Sequence, residues 1–155
     1  MVDLQSISIT IAAFSFAVAV TYYAMNLREV ARNRRITLTT TLLQNFMTGE
    51  GYGKILELTS MKWDSVEDFM QKYDHRVDRD NAASRMALWN TCNTLGSLYR
   101  EGMLDLKTIY TSSGGIISNI WRKFKPIIEY YRETDYGDNA YEDFEYLAKQ
   151  LEQYM

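Results

Sequence analysis

Apolar residues dominate the start of the chain, where the 24 residues from Leu4 to Leu27 include no charged side chain. At about 1.5 Å per residue, a helix of that length reaches roughly 36 Å, and a bilayer core of about 30 Å needs roughly 20 apolar residues. Serine and threonine are tolerated within such a helix, because their hydroxyl groups donate to backbone carbonyl groups one turn back. The pattern predicts a single transmembrane helix.

The flanks of this stretch indicate its orientation. Tyr22 and Tyr23 fall near the headgroup level, where amphipathic rings concentrate. Four basic residues follow directly: Arg28, Arg32, Arg34 and Arg35. The opposite flank holds only Asp3 and the amino group of the chain, and arginine prefers the cytoplasmic side. We therefore expect a single-pass protein of the cell membrane, with its N-terminus outside and its C-terminal domain in the cytoplasm.

Two other interpretations of the apolar stretch stay open. A cleaved signal peptide has basic residues before a shorter apolar run and small residues at its cleavage site. Residues 17–19, Ala-Val-Ala, resemble such a site, but here the basic residues come after the run, which continues past that point. A buried core helix is the second alternative, because serine and threonine make the stretch only moderately hydrophobic. A membrane anchor accounts for more of these features.

One face of the predicted anchor carries small side chains. Its members recur at intervals of four, three and four residues: Ser8, Ala12, Ser15 and Ala19. Small residues at helical spacing let two helices approach closely within lipid. The face is a candidate packing surface for a second copy or another protein, although serine and alanine are also common in membrane helices that lack such a contact.

Helical patterns continue beyond the anchor. Residues 1–48 contain no glycine or proline, so the helix could run on through Leu38, Leu42, Leu43 and Phe46. Threonines at 37 and 39–41 weaken helix propensity, and a joint there stays open. Three glycines in residues 49–53 are expected to end the helix, and a short helix is expected over 54–60.

Capping residues and apolar spacing predict the later helices. Asp64 and Glu67 suit a capping box that opens a helix ending at Tyr73. A longer helix is expected over 78–102, with Gly102 as a left-handed C-cap, and a short one over 104–110, with a stop at 112–115. Two more are expected: one over 116–131, with a kink or break at Pro126, and one over 139–153, after a turn at 136–138. Apolar stripes at three- and four-residue intervals give the expected core: Val66, Phe69, Met70 and Tyr73; Met86, Leu88, Trp89, Cys92, Leu95, Leu98 and Tyr99; Ile116, Ile120, Trp121, Phe124, Ile127, Ile128 and Tyr131; Tyr141, Phe144, Leu147, Ala148 and Leu151.

These elements define the predicted fold class. No segment sustains the two-residue alternation of a strand. We predict an all-α protein with one N-terminal transmembrane helix followed by a small cytoplasmic bundle of five or six helices. The predicted domains are a transmembrane anchor (1–27), a juxtamembrane basic helix (28–48) and a cytoplasmic helical domain (49–155).

Charge is distributed unevenly along the chain. The net charge is −3; residues 28–35 hold four arginines against one glutamate, or +3, so the rest of the chain carries −6. Residues 133–155 hold seven acidic residues against one lysine. An acidic domain argues against general nucleic-acid binding, which needs a basic surface. The arginines are better explained as a topology signal beside anionic headgroups than as a DNA-binding segment.

The sequence shows no motif for a reaction. Cys92 is the only cysteine and lies on an apolar stripe, so we expect a core residue that forms no intrachain disulfide. His75 is the only histidine and is expected in an exposed loop, which leaves no Cys/His metal cluster. The Gly-x-Gly-x-Gly pattern at 49–53 is not followed by Gly-Lys-Ser/Thr, so no phosphate loop is expected. We expect no metal, no cofactor and no catalytic residue.

Several short motifs occur together: Met-Val-Asp-Leu-Gln-Ser-Ile-Ser-Ile at 1–9, Tyr22-Tyr-Ala with Leu27-Arg-x-x-x-Arg32, Asp68-Phe-x-x-Lys-Tyr73, Ile120-Trp-x-x-x-Lys-Pro-Ile-Ile128, Arg132, and Tyr141-x-x-Phe-Glu-Tyr-Leu147. With them the chain resembles an uncharacterised family of small archaeal single-pass membrane-anchored helical proteins. The resemblance implies a membrane anchor and a helical cytoplasmic domain. It implies no activity, substrate or catalytic residue.

Three classes of function remain. The favoured one is a membrane-tethered interaction or scaffold module, with the lipid bilayer and either a protein partner or a second copy as its contacts, and with no nucleic acid or small-molecule substrate. The alternative is an accessory subunit of a larger membrane complex. An enzyme that uses carboxylates such as Glu101 with Asp105 is the third, but general acid–base chemistry needs positioned groups in a pocket, and spacing alone does not show one.

Overall fold

Helix α1 spans Leu4–Leu43 in a computed structural model that describes residues 3–44 and 48–154. The chain divides into two compact units, Met1–Thr37 and Leu38–Met155, and α1 contributes residues to both. The threonines at 37 and 39–41 do not interrupt α1, so it is continuous through Leu43. The expected extension to Phe46 lies outside the described residues.

Helices also make up the second unit. They are α2 (Gly49–Ser60), α3 (Val66–Tyr73), α4 (Arg79–Arg100), α5 (Leu106–Ile109), α6 (Gly115–Tyr131) and α7 (Glu142–Tyr154). A π-helical turn, Tyr110–Gly114, joins α5 to α6, and a second, Arg132–Tyr136, follows α6. The described residues contain no strand. The predicted all-α class, with one long apolar helix ahead of a bundle of five or six, is confirmed.

The ends of α4 show why this helix starts and stops where predicted. The Asp78 carboxylate accepts a hydrogen bond from the Asn81 N–H at 3.1 Å and caps the first turn. At the other end Gly102 has φ +72°, a left-handed conformation that glycine adopts without a Cβ penalty. The N–H groups of Met103 and Gly102 donate to the carbonyls of Leu98 and Tyr99, both at 2.9 Å, which is a Schellman motif.

The capping box of α3 is displaced by one residue from its prediction. Ser65, not Asp64, is the N-cap, and its hydroxyl accepts from the Asp68 N–H at 3.2 Å. The Asp68 carboxylate reaches back to the Asp64 N–H at 3.0 Å. The sequence offers two overlapping Asp/Ser-x-x-acid patterns, and the pair one residue later caps the helix in a variant of the box, because Asp68 accepts from the N–H of Asp64, one residue before the N-cap.

The glycines at 49–53 lie inside a helix, so the prediction that they separate helices is wrong. Helix α2 begins at Gly49 instead of Lys54, and the Thr48 hydroxyl caps it by accepting from the Gly51 N–H at 3.0 Å. N–H groups in a first turn have no intrahelical partner to lose, and a capping hydroxyl supplies one. The cap therefore offsets part of the low helix propensity of glycine.

Two predicted interruptions of the later helices are also absent. Residues 106–136 are helical throughout, so the stop expected at 112–115 is wrong and a π-helical turn occupies that place. Helix α6 continues through Pro126, so the predicted break into two helices is absent, and the alternative of a kink within one helix stays a prediction. Pro126 and Arg122 are both exposed, so water can bond the Arg122 carbonyl that lacks its usual N–H partner. Helix α7 starts at Glu142, after a turn in which Gly137 has φ +81°.

The core of the second unit follows the predicted apolar stripes. Helix α4 packs most extensively against α7, which also contacts α6. The Phe124 ring lies 5.4 Å from Trp63, 5.4 Å from Trp89 and 6.5 Å from Phe69, measured between centroids. The predicted apolar stripes did not include Ile117, which is fully buried. Met86 was predicted to lie in the core, but it is partly exposed and does not pack with the core residues.

Candidate functional site

The apolar stretch of α1 is exposed along its whole length, since no residue from 4 to 27 is buried. Phe14 and Phe16 each leave 72% of their surface exposed. Among the described residues, α1 is the one helix long and apolar enough to cross a membrane. Since none of its apolar window is buried, α1 does not have the burial expected of a soluble protein's core helix.

Two threonine hydroxyl groups within the stretch form hydrogen bonds inside the helix, as expected. The Thr10 hydroxyl donates to the Ser6 carbonyl and the Thr21 hydroxyl to the Ala17 carbonyl, both at 2.8 Å. Each bond runs four residues back, so it needs no partner outside the helix. These two threonines therefore lower the cost of placing α1 in an apolar medium.

The predicted anchor residues all lie on α1 and all are exposed: Ser8, Ala12, Ser15, Ala19, Tyr22, Tyr23, Arg28, Arg32, Arg34 and Arg35. Because a helix advances about 100° per residue, the four small residues fall within about 60° of one another. The helical geometry thus places the small side chains on one continuous strip of α1.

A second cluster, which the sequence reading missed, surrounds a buried arginine of α4. Arg85 is 1% exposed, and its guanidinium lies 4.7 Å from the Phe69 ring centroid and 5.3 Å from that of Trp89. It donates to the Asn81 side-chain carbonyl at 2.9 Å and to the Tyr73 backbone carbonyl at 3.2 Å. Burial lowers the pKa of the guanidinium, although Tyr131 opposes the shift. Arginine starts above about 12, so such a group stays charged at neutral pH.

Three tyrosines extend this cluster toward the end of α6. The Tyr131 ring lies 5.1 Å from Tyr136, and Tyr136 lies 6.3 Å from Tyr141, which also meets Trp89 at 5.5 Å. Burial raises the pKa of all three phenols, so they stay neutral in the physiological range. Tyr141 has φ +58°, a conformation that is costly for a bulky residue and is held here by its ring contacts.

A buried carboxylate closes α3 next to this cluster. Asp74 is 5% exposed, and its Oδ1 accepts from the Arg76 N–H at 2.9 Å. The Asp74 Oδ2 lies 3.4 Å from the His75 Nδ1. His75 itself is exposed, as predicted. Hollows of about 360 and 370 Å³ flank the pair, the first lined by Asp74, Arg76 and Tyr130 and the second by His75, Asp135 and Tyr136.

Two cations hold helix ends in place. The Lys123 ammonium donates to the carbonyls of Thr59 and Met61 at 2.7 and 2.6 Å, which caps the C-terminal end of α2. Arg132 donates to the Ala140 carbonyl and to the Glu145 carboxylate, both at 2.8 Å. Arg132 therefore connects the second π-helical turn to α7. This contact gives a structural role to Arg132, which is one of the residues that carry the family resemblance.

The groups considered for chemistry lie in the core, cap a helix or are exposed to solvent. Cys92 is fully buried, and burial raises the pKa of its thiol, which confirms the predicted core position. The Asp105 carboxylate caps α5 by accepting from the Thr108 N–H at 2.8 Å. Glu101 is exposed at the C-cap of α4. Within residues 3–44 and 48–154, no three His, Cys, Asp or Glu residues come together in a group suited to a metal ion.

These features define a helical protein with one exposed helix able to cross a membrane and a bundle with a buried arginine–tyrosine cluster. The chain belongs to the family described as Domain of unknown function (DUF4760), which matches residues 5–151. The expectation of an uncharacterised family is thereby confirmed. No curated protein and no solved structure matches the chain.

Proposed function

We propose that this protein is a membrane-tethered helical interaction module, anchored by residues 4–27 with its N-terminus outside and residues 38–155 in the cytoplasm. The carrying observation is the complete exposure of the uncharged stretch on α1. Leaving a large apolar side chain in water costs about 1.5–3 kcal/mol relative to burial, and this stretch carries several. A bilayer covers such a helix on all sides at once.

The extent of the family match supports anchoring over a removable leader. The match begins at residue 5, so the apolar stretch belongs to the domain that the family shares. The order of charges, with four arginines after the stretch, supports the cytoplasmic placement of the bundle. We also propose that the protein is archaeal, as the motif resemblance implies. The small-residue face of α1 is proposed as its contact with a partner helix.

Membrane retention tests the anchor. We expect the full chain to stay in the membrane fraction after an alkaline carbonate wash. Arg at the centre of a membrane helix costs about 2.5–3.5 kcal/mol, so Phe14→Arg with Val18→Arg should release the protein. Leu56→Arg, at an exposed position of α2, is the control and should leave retention unchanged. Release of the wild-type chain would contradict the proposal.

Orientation and partners need separate measurements. Protease added outside intact cells should leave the bundle uncut, and replacing all four arginines of 28–35 with glutamine should weaken that protection. Affinity purification from native membranes should yield a homo-oligomer or a transient partner. Foreign chains that co-purify in fixed proportion would instead favour an accessory subunit of a larger membrane complex.

A further inference from the structure

We propose that Arg28, Arg32 and Arg35 form an arginine stripe that binds the phosphate groups of anionic phospholipids. The inference rests on the proposed membrane anchoring and adds a ligand class to it. All three side chains are exposed on the helical part of α1 that directly follows the apolar stretch.

Helix geometry puts these residues on one side. At about 100° per residue, they fall within an arc of about 60°, whereas Arg34 lies about 120° from Arg28 and Glu29 about 100° from it on the other side. The stripe therefore presents three cations within one arc, and the single acidic residue of this segment, Glu29, lies outside that arc, about 60° from Arg32. A topology signal depends on the number of positive charges near the membrane, so it would not need the arginines on one side of the helix.

The axial position of the stripe matches the headgroup layer. Seven residue steps separate Arg28 from Arg35, which is about 10 Å along the helix axis. The headgroup and interfacial region adds about 5–8 Å on each side of the hydrocarbon core. With Arg28 at the inner boundary of this region, Arg32 lies about 6 Å farther out, and Arg35 lies just beyond the outer boundary, from which its long side chain can reach back to a phosphate.

The choice of side chain points to phosphate. All four basic residues of 28–35 are arginine, although the chain contains seven lysines elsewhere. Lysine and arginine serve equally as topology signals, but only the planar guanidinium donates two parallel hydrogen bonds to one phosphate. The remainder of the chain carries −6, so an anionic surface would repel it without these cations.

Native mass spectrometry of the full chain from nanodiscs of equal phosphatidylglycerol and phosphatidylcholine tests the stripe. We expect wild-type chain to retain phosphatidylglycerol preferentially, and each neutralised arginine to lower that preference about fivefold. The triple variant Arg28→Gln, Arg32→Gln, Arg35→Gln should lose the preference, and the triple Arg→Lys variant should keep only part of it. The control Lys62→Gln, Arg79→Gln, Lys107→Gln removes three exposed charges of the bundle and should bind like wild type.

Several results would overturn the inference. Equal retention of both lipids by wild type, an unchanged glutamine variant, or an equal loss in the control would each refute it. Inorganic phosphate at millimolar concentration should not displace the lipid; full displacement would mean that a soluble phosphate is the ligand. A chain that fails to enter nanodiscs refutes the anchor as well, whereas one that enters without lipid preference refutes the stripe alone.

Discussion

Gly96 of α4 lies directly against the backbone of Asp143 at the start of α7, so that a Cβ at position 96 would overlap the Asp143 carbonyl group. Helices α4 and α7 share the most extensive packing in the described part of the chain. The Asn93 side chain accepts from the Phe144 N–H at 3.1 Å one turn away, which fixes the same approach. The contact of these two helices thus depends on the absence of a side chain.

Gly96→Ala should therefore destabilise the bundle. Backbone atoms cannot rotate away as a side chain can, and overpacking typically costs about 1–3 kcal/mol. Gly53→Ala is the matched control, because Gly53 is helical with open space around it and should gain up to about 1 kcal/mol. Urea unfolding of the detergent-solubilised chain measures both. If Gly96→Ala were as stable as wild type, α7 would have to shift away from the added methyl group without a cost in stability.

Replacing Arg85 should unfold the cluster at the end of α6. Arg85→Met keeps most of the side-chain volume but leaves the Asn81 and Tyr73 oxygens without their donor, at about 1–3 kcal/mol for the buried Asn81 oxygen and less for the partly buried Tyr73 carbonyl. Arg122→Met on the exposed side of α6 should change stability little. Thermal unfolding followed by near-ultraviolet circular dichroism, which reports aromatic packing, distinguishes the two. Equal melting temperatures would show that Arg85 contributes no net stability.

Cys92 should be unreactive in the folded protein and should make stability fall at alkaline pH. Burial raises the pKa of the folded thiol, whereas an unfolded cysteine ionises near about 8.5. Above that pH the unfolded state loses a proton that the folded state keeps, so stability decreases by up to about 1.4 kcal/mol per pH unit. Labelling with a thiol reagent at pH 9, with and without urea, checks the reactivity. Rapid labelling of the folded chain would place the thiol at the surface.

The pH effect can be assigned to this thiol by substitution. Cys92→Ala is less stable overall because it leaves a small cavity, but it should lose the decline between about pH 8.5 and 10. Above about pH 10 the tyrosines Tyr131, Tyr136 and Tyr141 add the same trend, since partial or full removal from water raises their pKa values too. A decline in that lower window that persists in Cys92→Ala would assign it to another group.

The small-residue face of α1 should govern any self-association within lipid. Ala12 belongs to this face, and Ala13 lies about 100° away from it around the helix. Ala12→Leu should prevent close approach of two helices, while Ala13→Leu makes the same change in hydrophobicity on another side. Crosslinking in membranes measures the dimer fraction of each. Equal dimer fractions in the two variants would remove this face as the contact.

Most of the fold was predictable because apolar spacing and capping residues are local signals. Leu95, Phe124 and Leu147 were placed in the core by periodicity alone, and Gly102 ended α4 as expected. Arg85 was missed although it lies on the same stripe as Trp89 and Cys92, where a charged residue should itself have suggested a buried polar contact. The contacts of Lys123 and Arg132 could not be predicted, because each joins segments whose spatial proximity only the fold establishes.

The π-helical turn at Tyr110–Gly114 has a consequence for chain length. A π-helical turn holds one residue more than an α-helical turn needs, so removing one residue there would convert it to an α-helix. Because the wider turn already absorbs that extra residue, the deletion would leave α5 facing the same way relative to α6 and keep Ile109 in the core. Family members that lack one residue in this region should therefore keep the apolar pattern of α5 unchanged and have a continuous α-helix in place of the π-helical turn.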